Sequence, residues 1–500
     1  MGNSHPHGHE HKRKSQDSTA SSGGGSNNSS KKDISRSASG TDIHERSTHL
    51  LPVEKLAKIL VTKSQEEEGV NGVTKRTFVN YLFPRYPLLG EKLFEYFHKN
   101  SKSKVSYIGS SPFKQQCDRF LGILNDDTAR DTLVRMFSSY DENQETHVMT
   151  SEQLKQLLMC DYHISMDHYS GGPQMCVAIN KTLKAVIDSC FHGKESLSWQ
   201  YVSHWLQANC PRLLLPLHRY AVHSLATSWR VLESDGPPMA TGLELATPVL
   251  EEGNPFDKAK PQQHLLQMSS SWLLAGALPP LYSRPQKAHS PNSSGVGLSS
   301  QTFFNKFISA VPSHWILLYD SNEMGLGLNR FLHHVMGYKG PTLILIKIEN
   351  DTKFCVACPN EWKESHQYWG GEESALFQIF PKFLLLDKGA KMLYLNTTVR
   401  GYPQGLRVGR DPRSPVISVN VGFEKLEYHK VPYELKCIEV WGCGDSTSRE
   451  VQLEIKKWEI KEAERQRNVK LSAADWLDHP DRYLLELAGR PQYNDQQNPT

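Results

Sequence analysis

Long apolar runs are missing from these 500 residues. The longest, Leu343 to Ile348, is interrupted by Lys347, and none approaches the ~18 residues that a membrane span needs. A surplus of one charge is missing too. Lys and Arg number 57 against 54 Asp and Glu, a net charge of +3, so the clustered basic excess of a nucleic-acid binder is not there. Nine cysteines, odd in number and irregular in spacing, do not make a secreted disulfide framework. The first fifty residues are polar and lack the apolar stretch of a secretory signal. These absences lead to the expectation of a cytoplasmic chain that binds no nucleic acid and folds as roughly two to four domains.

What is present changes character along the chain. Residues 1–48 are rich in Ser, Gly, His and Asn, with too few apolar side chains to offset the entropy of ordering, which predicts a disordered tail. Over 49–230 the apolar period is helical: Val53, Leu56, Ala57 and Leu60 share one face, and Leu133, Met136, Phe137 and Tyr140 share another. Pro237, Pro238, Pro248, Gly253, Pro255 and Pro261 mark 231–262 as a linker. From Trp315 to Trp441 short β-prone runs replace helices. Ile417, Val419, Val421 and Phe423 alternate as on a sheet with one buried face. One amphipathic helix, Leu328 to Val335, interrupts them. Residues 446–500 return to helix, highly charged, with Val451, Ile455 and Trp458 on a narrow stripe and a further helix from Trp476.

Within the β-prone region an ordered set of words stands out. Ser313-His314-Trp315-Ile316-Leu317-Leu318-Tyr319 opens it, Gly340-Pro341 and Tyr368-Trp369-Gly370-Gly371 follow, and Glu439-Val440-Trp441 closes it. This order resembles the TLDc family over about 263–445. The fold class that follows is α+β: an EF-hand-like helical region, a TLDc β-sandwich flanked by helices, and carboxyl-terminal helices. The resemblance implies a non-enzymatic adaptor that engages vacuolar proton pump subunits or TOR pathway components. It is closest to the lysosome-linked branch of the family, tied to growth signalling and oxidative-stress resistance.

Four candidate sites follow from the residues. Met1-Gly2-Asn3-Ser4 resembles a myristoylation start with Gly2 as acceptor, although Pro6 replaces the expected hydroxyl residue. One acyl chain anchors weakly, and Lys12-Arg13-Lys14 would supply the second, electrostatic signal for peripheral membrane binding. Asp141, Asn143, Glu145, His147 and Glu152 fall at positions 1, 3, 5, 7 and 12 of an EF-hand-like loop. Thr146 stands at position 6, where the turn calls for Gly, and Met149 at position 9 offers no oxygen, so weak or vestigial calcium binding is expected. Cys355 and Cys358 form a C-x-x-C, open to a redox-protective reading. On a strand, however, positions i and i+3 face opposite ways, which favours packing. Val451, Ile455, Trp458 and Trp476 are the expected partner-binding anchors.

Overall fold

The computed structural model describes residues 53–142, 145–169, 176–234, 247–251, 264–283 and 313–467, with positions 483, 484, 487 and 488 beyond them. Gly2, Asn143 and Trp476 lie outside the described residues.

The amino-terminal part is helical, and local signals explain where its helices begin. Helix α1 (Val53–Glu68) buries Val53, Leu56, Ala57 and Leu60, the face set by their spacing. Helix α2 (Lys75–Leu82) starts where the Thr74 side chain accepts the Thr77 amide. Helix α3 (Pro87–Ser101) has Pro in its first turn, where no amide donor is needed. Helix α4 (Ser110–Leu121) follows. Helix α5 (Asp126–Phe137) is capped by Asn125 and carries Asp126 and Asp127 at the positive end of its dipole. Phe78 sits at the centre, its ring 5.5 Å from Phe83, 5.7 Å from Phe94 and 5.9 Å from Phe113.

Strands β1 (Ser139–Asp141) and β2 (Thr146–Thr150) lead into α6 (Ser151–Ser165), which opens with a Thr150/Gln153 capping box. Then come α7 (Ile179–Phe191), β3 (Ser196–Ser198), α8 (Trp199–Asn209) and α9 (Leu215–Ser234). β2 pairs antiparallel with both β1 and β3. The expected helix–loop–helix of α5 and α6 is therefore joined through its strand to a second one, α7–β3–α8. That second unit has no sequence signature, because its turn, Gly193-Lys194-Glu195, lacks spaced oxygen ligands.

Within the stretch read as linker, Val249–Leu250 forms strand β4, parallel to β5 (His314–Asp320). Helix α10 (Met268–Ala277) buries every residue except Ser270. Its Gly276 carbonyl accepts the Arg212 amide at 2.9 Å, and a Cβ there would meet the Leu213 backbone at 2.7 Å. Close approach, with no room for a side chain, is what requires glycine at this point.

The remaining elements are α11 (Ser321–Met324), α12 (Leu328–Val335), β6 (Thr342–Ile348), β7 (Lys353–Cys358), β8 (Ala375–Phe380), β9 (Leu384–Lys388), β10 (Leu393–Asn396), β11 (Gly405–Val408), β12 (Ile417–Val419), β13 (Lys425–Tyr428), β14 (Val431–Gly442) and α13 (Ser446–Arg467). The strands form one antiparallel path, β10-β11-β12-β13-β14-β6-β7-β8-β9, with β5 also paired to β14. β14 belongs to both halves: Val431–Glu434 pairs with β13, and Leu435–Gly442 pairs with β6. Ile344, Ile346 and Val356 meet Leu406, Val408, Ile417 and Val419 in the core between the halves. Leu343, Leu345 and Ala357 face the other way, into a core shared with α1–α10. The mixed helix and sheet class is as expected. The alternation read through Val421 stops at Val419; Val421 is exposed in the turn beyond it, while Phe423 is buried.

Candidate functional site

The two ends of the Trp315-to-Trp441 frame are neighbours in space. Across β5 and β14, Trp441 lies opposite Leu317, Val440 opposite Tyr319, and Glu439 opposite Asp320. Asp320 and Glu439 are both buried, and Glu439 is 0% exposed. Buried carboxylates are costly unless donors surround them. Glu439 accepts the Leu265 amide, the Leu266 amide at 3.0 Å and the Trp441 indole N–H at 3.1 Å. Asp320 caps α11 by accepting the Asn322 amide at 2.8 Å.

His264 closes the group. Its Nδ1 lies 3.5 Å from Asp320 Oδ2 and 3.6 Å from Glu439 Oε1, and its ring stands edge-on to Trp441 at 5.8 Å. Burial raises the Asp320 carboxyl above its ordinary value, and the Glu439 charge adds to that. The Glu439 carboxylate in turn holds the His264 imidazole above its ordinary value, against burial. Among the described residues this is the one group of three His, Cys, Asp or Glu whose ligand atoms lie within 4.8 Å of one another. Glu439 stands out in the closing sequence motif, but its approach to Asp320 depends on the β5–β14 register and its approach to His264 on the chain path before α10, and neither is a local sequence signal.

Helix α13 leaves the sandwich directly after β14. Asp445 starts it, accepting the Ser448 amide at 3.1 Å, and the Thr447 and Ser448 hydroxyls keep its carboxyl below the ordinary range. The stripe read as a partner face divides. Val451 and Ile455 are half-buried, whereas Trp458 is 65% exposed, accompanied by exposed Leu453 and Ile460. The anchor that sequence reading missed is Gln452. It is fully buried and its Nε2 donates to the carbonyls of His334 at 3.0 Å, Met336 at 3.1 Å and Val335 at 3.4 Å. These are carbonyls at the end of α12, which lack helical partners of their own. The available signal was a polar side chain set between Val451 and Ile455.

The EF-hand-like loop is narrower than its sequence frame. Asp141 lies in β1, paired with Thr146 of β2. The left-handed turn falls on Glu145, at φ +50°, one residue before the position where a calcium loop turns. His147 contacts Ser138 Oγ at 3.1 Å and Lys99 Nζ at 3.2 Å, and burial, then Lys99, lowers its pKa. Glu152 faces Lys155 at 3.8 Å.

Residues 293–460 match the family model of the TLDc domain. This part of the chain is a TLDc domain. A 247-residue stretch is 24% identical to the Neurospora crassa protein named Restriction of telomere capping protein 5, covering 35% of this chain and 41% of that one. A 57-residue stretch is 42% identical to the protein of that name from Pyricularia oryzae, covering 11% of this chain and 9% of that one. The chain thus spans less than half the length of these relatives, which are fungal and carry no name linked to TOR. The TLDc match runs past the expected end at residue 445 and takes in α13 as far as residue 460.

Inside the TLDc domain the C-x-x-C is part of the packing. Cys355 points into the core shared with the helices, and Cys358 into the core between the sheet halves. Three residues along a strand separate their Cα atoms by about 10 Å, beyond the ~7 Å limit for a disulfide. Burial pushes the Cys355 thiol up strongly and the Cys358 thiol up to about 12, so neither is a thiolate at neutral pH.

Proposed function

We propose that this chain is a non-enzymatic regulator that acts by binding a protein partner, with α13 as its contact arm. The observation that carries this reading is Trp458. A large aromatic side chain stands 65% exposed on a helix whose inner face is already committed to its own domain through Gln452. Exposed aromatics of this kind dominate binding energy when a partner covers them, and the charged side chains around Trp458 keep the free arm soluble. The TLDc resemblance supplies the partner class: cytosolic subunits of the vacuolar proton pump, at the cytoplasmic face of lysosomes or other endomembranes, with TOR-linked growth signalling or oxidative-stress resistance downstream. The fungal relatives are named for restriction of telomere capping, which describes those proteins.

Two experiments separate the parts of this proposal. Pull-down from a membrane fraction, with and without residues 446–500, tests the arm; equal pump recovery from both forms removes it. The intact mass of the expressed chain tests acylation at Gly2, and an unshifted mass leaves the basic tail alone to hold the membrane.

A further inference from the structure

The group formed by His264, Asp320 and Glu439 is built for more than hydrogen bonding. His264 Nδ1 is shielded from solvent and makes no hydrogen bond of ordinary length. Its distances to Asp320 Oδ2 and Glu439 Oε1, 3.5 and 3.6 Å, exceed the ~3.2 Å limit of an ordinary N–H···O bond. They match another geometry. Ligand atoms about 2.0–2.2 Å from a tetrahedral zinc ion stand roughly 3.3–3.6 Å from one another.

The lone pairs are disposed to suit. Glu439 has three of its acceptor positions filled, by the Leu265 and Leu266 amides and the Trp441 indole. A carboxylate offers about four, and the remaining one lies on Oε1, the atom nearest His264. Asp320 accepts its amide on Oδ1 and presents Oδ2 to His264. Charge agrees with geometry. Among the described residues neither carboxylate has a Lys or Arg within ion-pair distance, so His264 is the one basic side chain beside two buried carboxyl groups, and a divalent cation between them would take the place of its proton. The His264 side chain is 27% exposed, so the group lies near the surface although Nδ1 itself is shielded.

We propose that His264, Asp320 and Glu439 bind one divalent transition-metal ion, zinc being the best match to one imidazole and two carboxylates. The ion fastens the segment entering α10 to strands β5 and β14. The donor set contains no thiolate, which argues against the copper(I) and cluster chemistry of soft sites.

The test uses the full chain carrying His5→Asn, His7→Asn, His9→Asn and His11→Asn, so that tail imidazoles cannot compete. After dialysis against a chelator, zinc is titrated calorimetrically and cobalt(II) is followed by visible absorption. The expected result is one equivalent of zinc, a raised melting temperature and the strong visible bands of four-coordinate cobalt. Adding His264→Gln, a substitution at a partly exposed position, should lower zinc affinity at least tenfold and abolish the cobalt bands with the far-ultraviolet circular dichroism unchanged. Asp320→Asn should do the same. No saturable zinc uptake by the folded chain overturns the proposal, and so does uptake that both variants leave unchanged.

Discussion

Replacing Gln452 with Ala should release the α13 arm from the TLDc domain while leaving the sandwich folded. The Gln452 amide offers two hydrogens to three carbonyls at 3.0, 3.1 and 3.4 Å. Removing them forfeits two net hydrogen bonds at about 1 kcal/mol each and leaves buried carbonyls unsatisfied, for a total of roughly 2–4 kcal/mol. Alanine also vacates space that Val451 and Ile455, only half-buried, do not fill. The cost falls on a helix in which Gln452 is the one fully buried side chain among the described residues, so most of it should appear as local opening. Hydrogen exchange read by mass spectrometry is the assay. Amides of 446–467 should lose protection by roughly 30- to 900-fold, the equivalent of that free energy, while those of β6 and β7 stay within a factor of about three. Unchanged protection of α13 in Gln452→Ala would refute the claim that this side chain holds the arm.

Three further outcomes follow from burial and geometry. Asp161 is buried where it accepts Trp272 Nε1–H at 2.9 Å and the Leu217 amide at 3.2 Å, and burial pushes its carboxyl up to about 8. A raised folded value means that the associated stability is present below pH ~4 and is lost as pH rises toward 8. The unfolding free energy of wild type minus that of Asp161→Asn should therefore fall as pH rises through that window, by at most about 1.4 kcal/mol per pH unit; a difference that rises contradicts it. Cys355 and Cys358 should resist maleimide in the native chain and react after denaturation, and rapid native labelling would revive the redox reading. Calorimetric titration with calcium should give no saturable heat below millimolar concentrations, because strand pairing holds Asp141 against Thr146; a micromolar transition would restore a working calcium loop.

Period and punctuation in the sequence indicate most of the fold. The α1 face, the β-prone runs between Trp315 and Trp441 and the charged final helix all follow from local apolar spacing, which is a property of neighbouring residues. The strand at Val249–Leu250 does not, because two residues carry no period and Pro248 precedes them. The second helix–loop–helix escaped notice for a related reason: β3 is three residues long and its turn lacks a ligand pattern. Site residues are harder to read than elements. Glu439 and Trp441 attract attention as a motif, yet their contact with His264, Leu265 and Leu266 depends on chain path. Gln452 looks like one more polar position on a charged helix until the end of α12 is placed beneath it. Trp458 shows the reverse case. It shares the helical face of Val451 and Ile455, yet those two are half-buried while Trp458 is 65% exposed, so burial along the stripe stops before its last member.

The arm and its tryptophan are the centre of the functional account, so the most direct test replaces that side chain alone. Tagged wild type and Trp458→Ala should be compared for recovery of vacuolar pump subunits from a membrane fraction, with melting temperature as a folding control. Trp458 is exposed, so stability should change by less than about 0.5 kcal/mol. Loss of an interface anchor should weaken binding by roughly 2 kcal/mol or more, about thirtyfold. Recovery that falls sharply at unchanged stability is the predicted result. Equal recovery by both proteins would contradict the account.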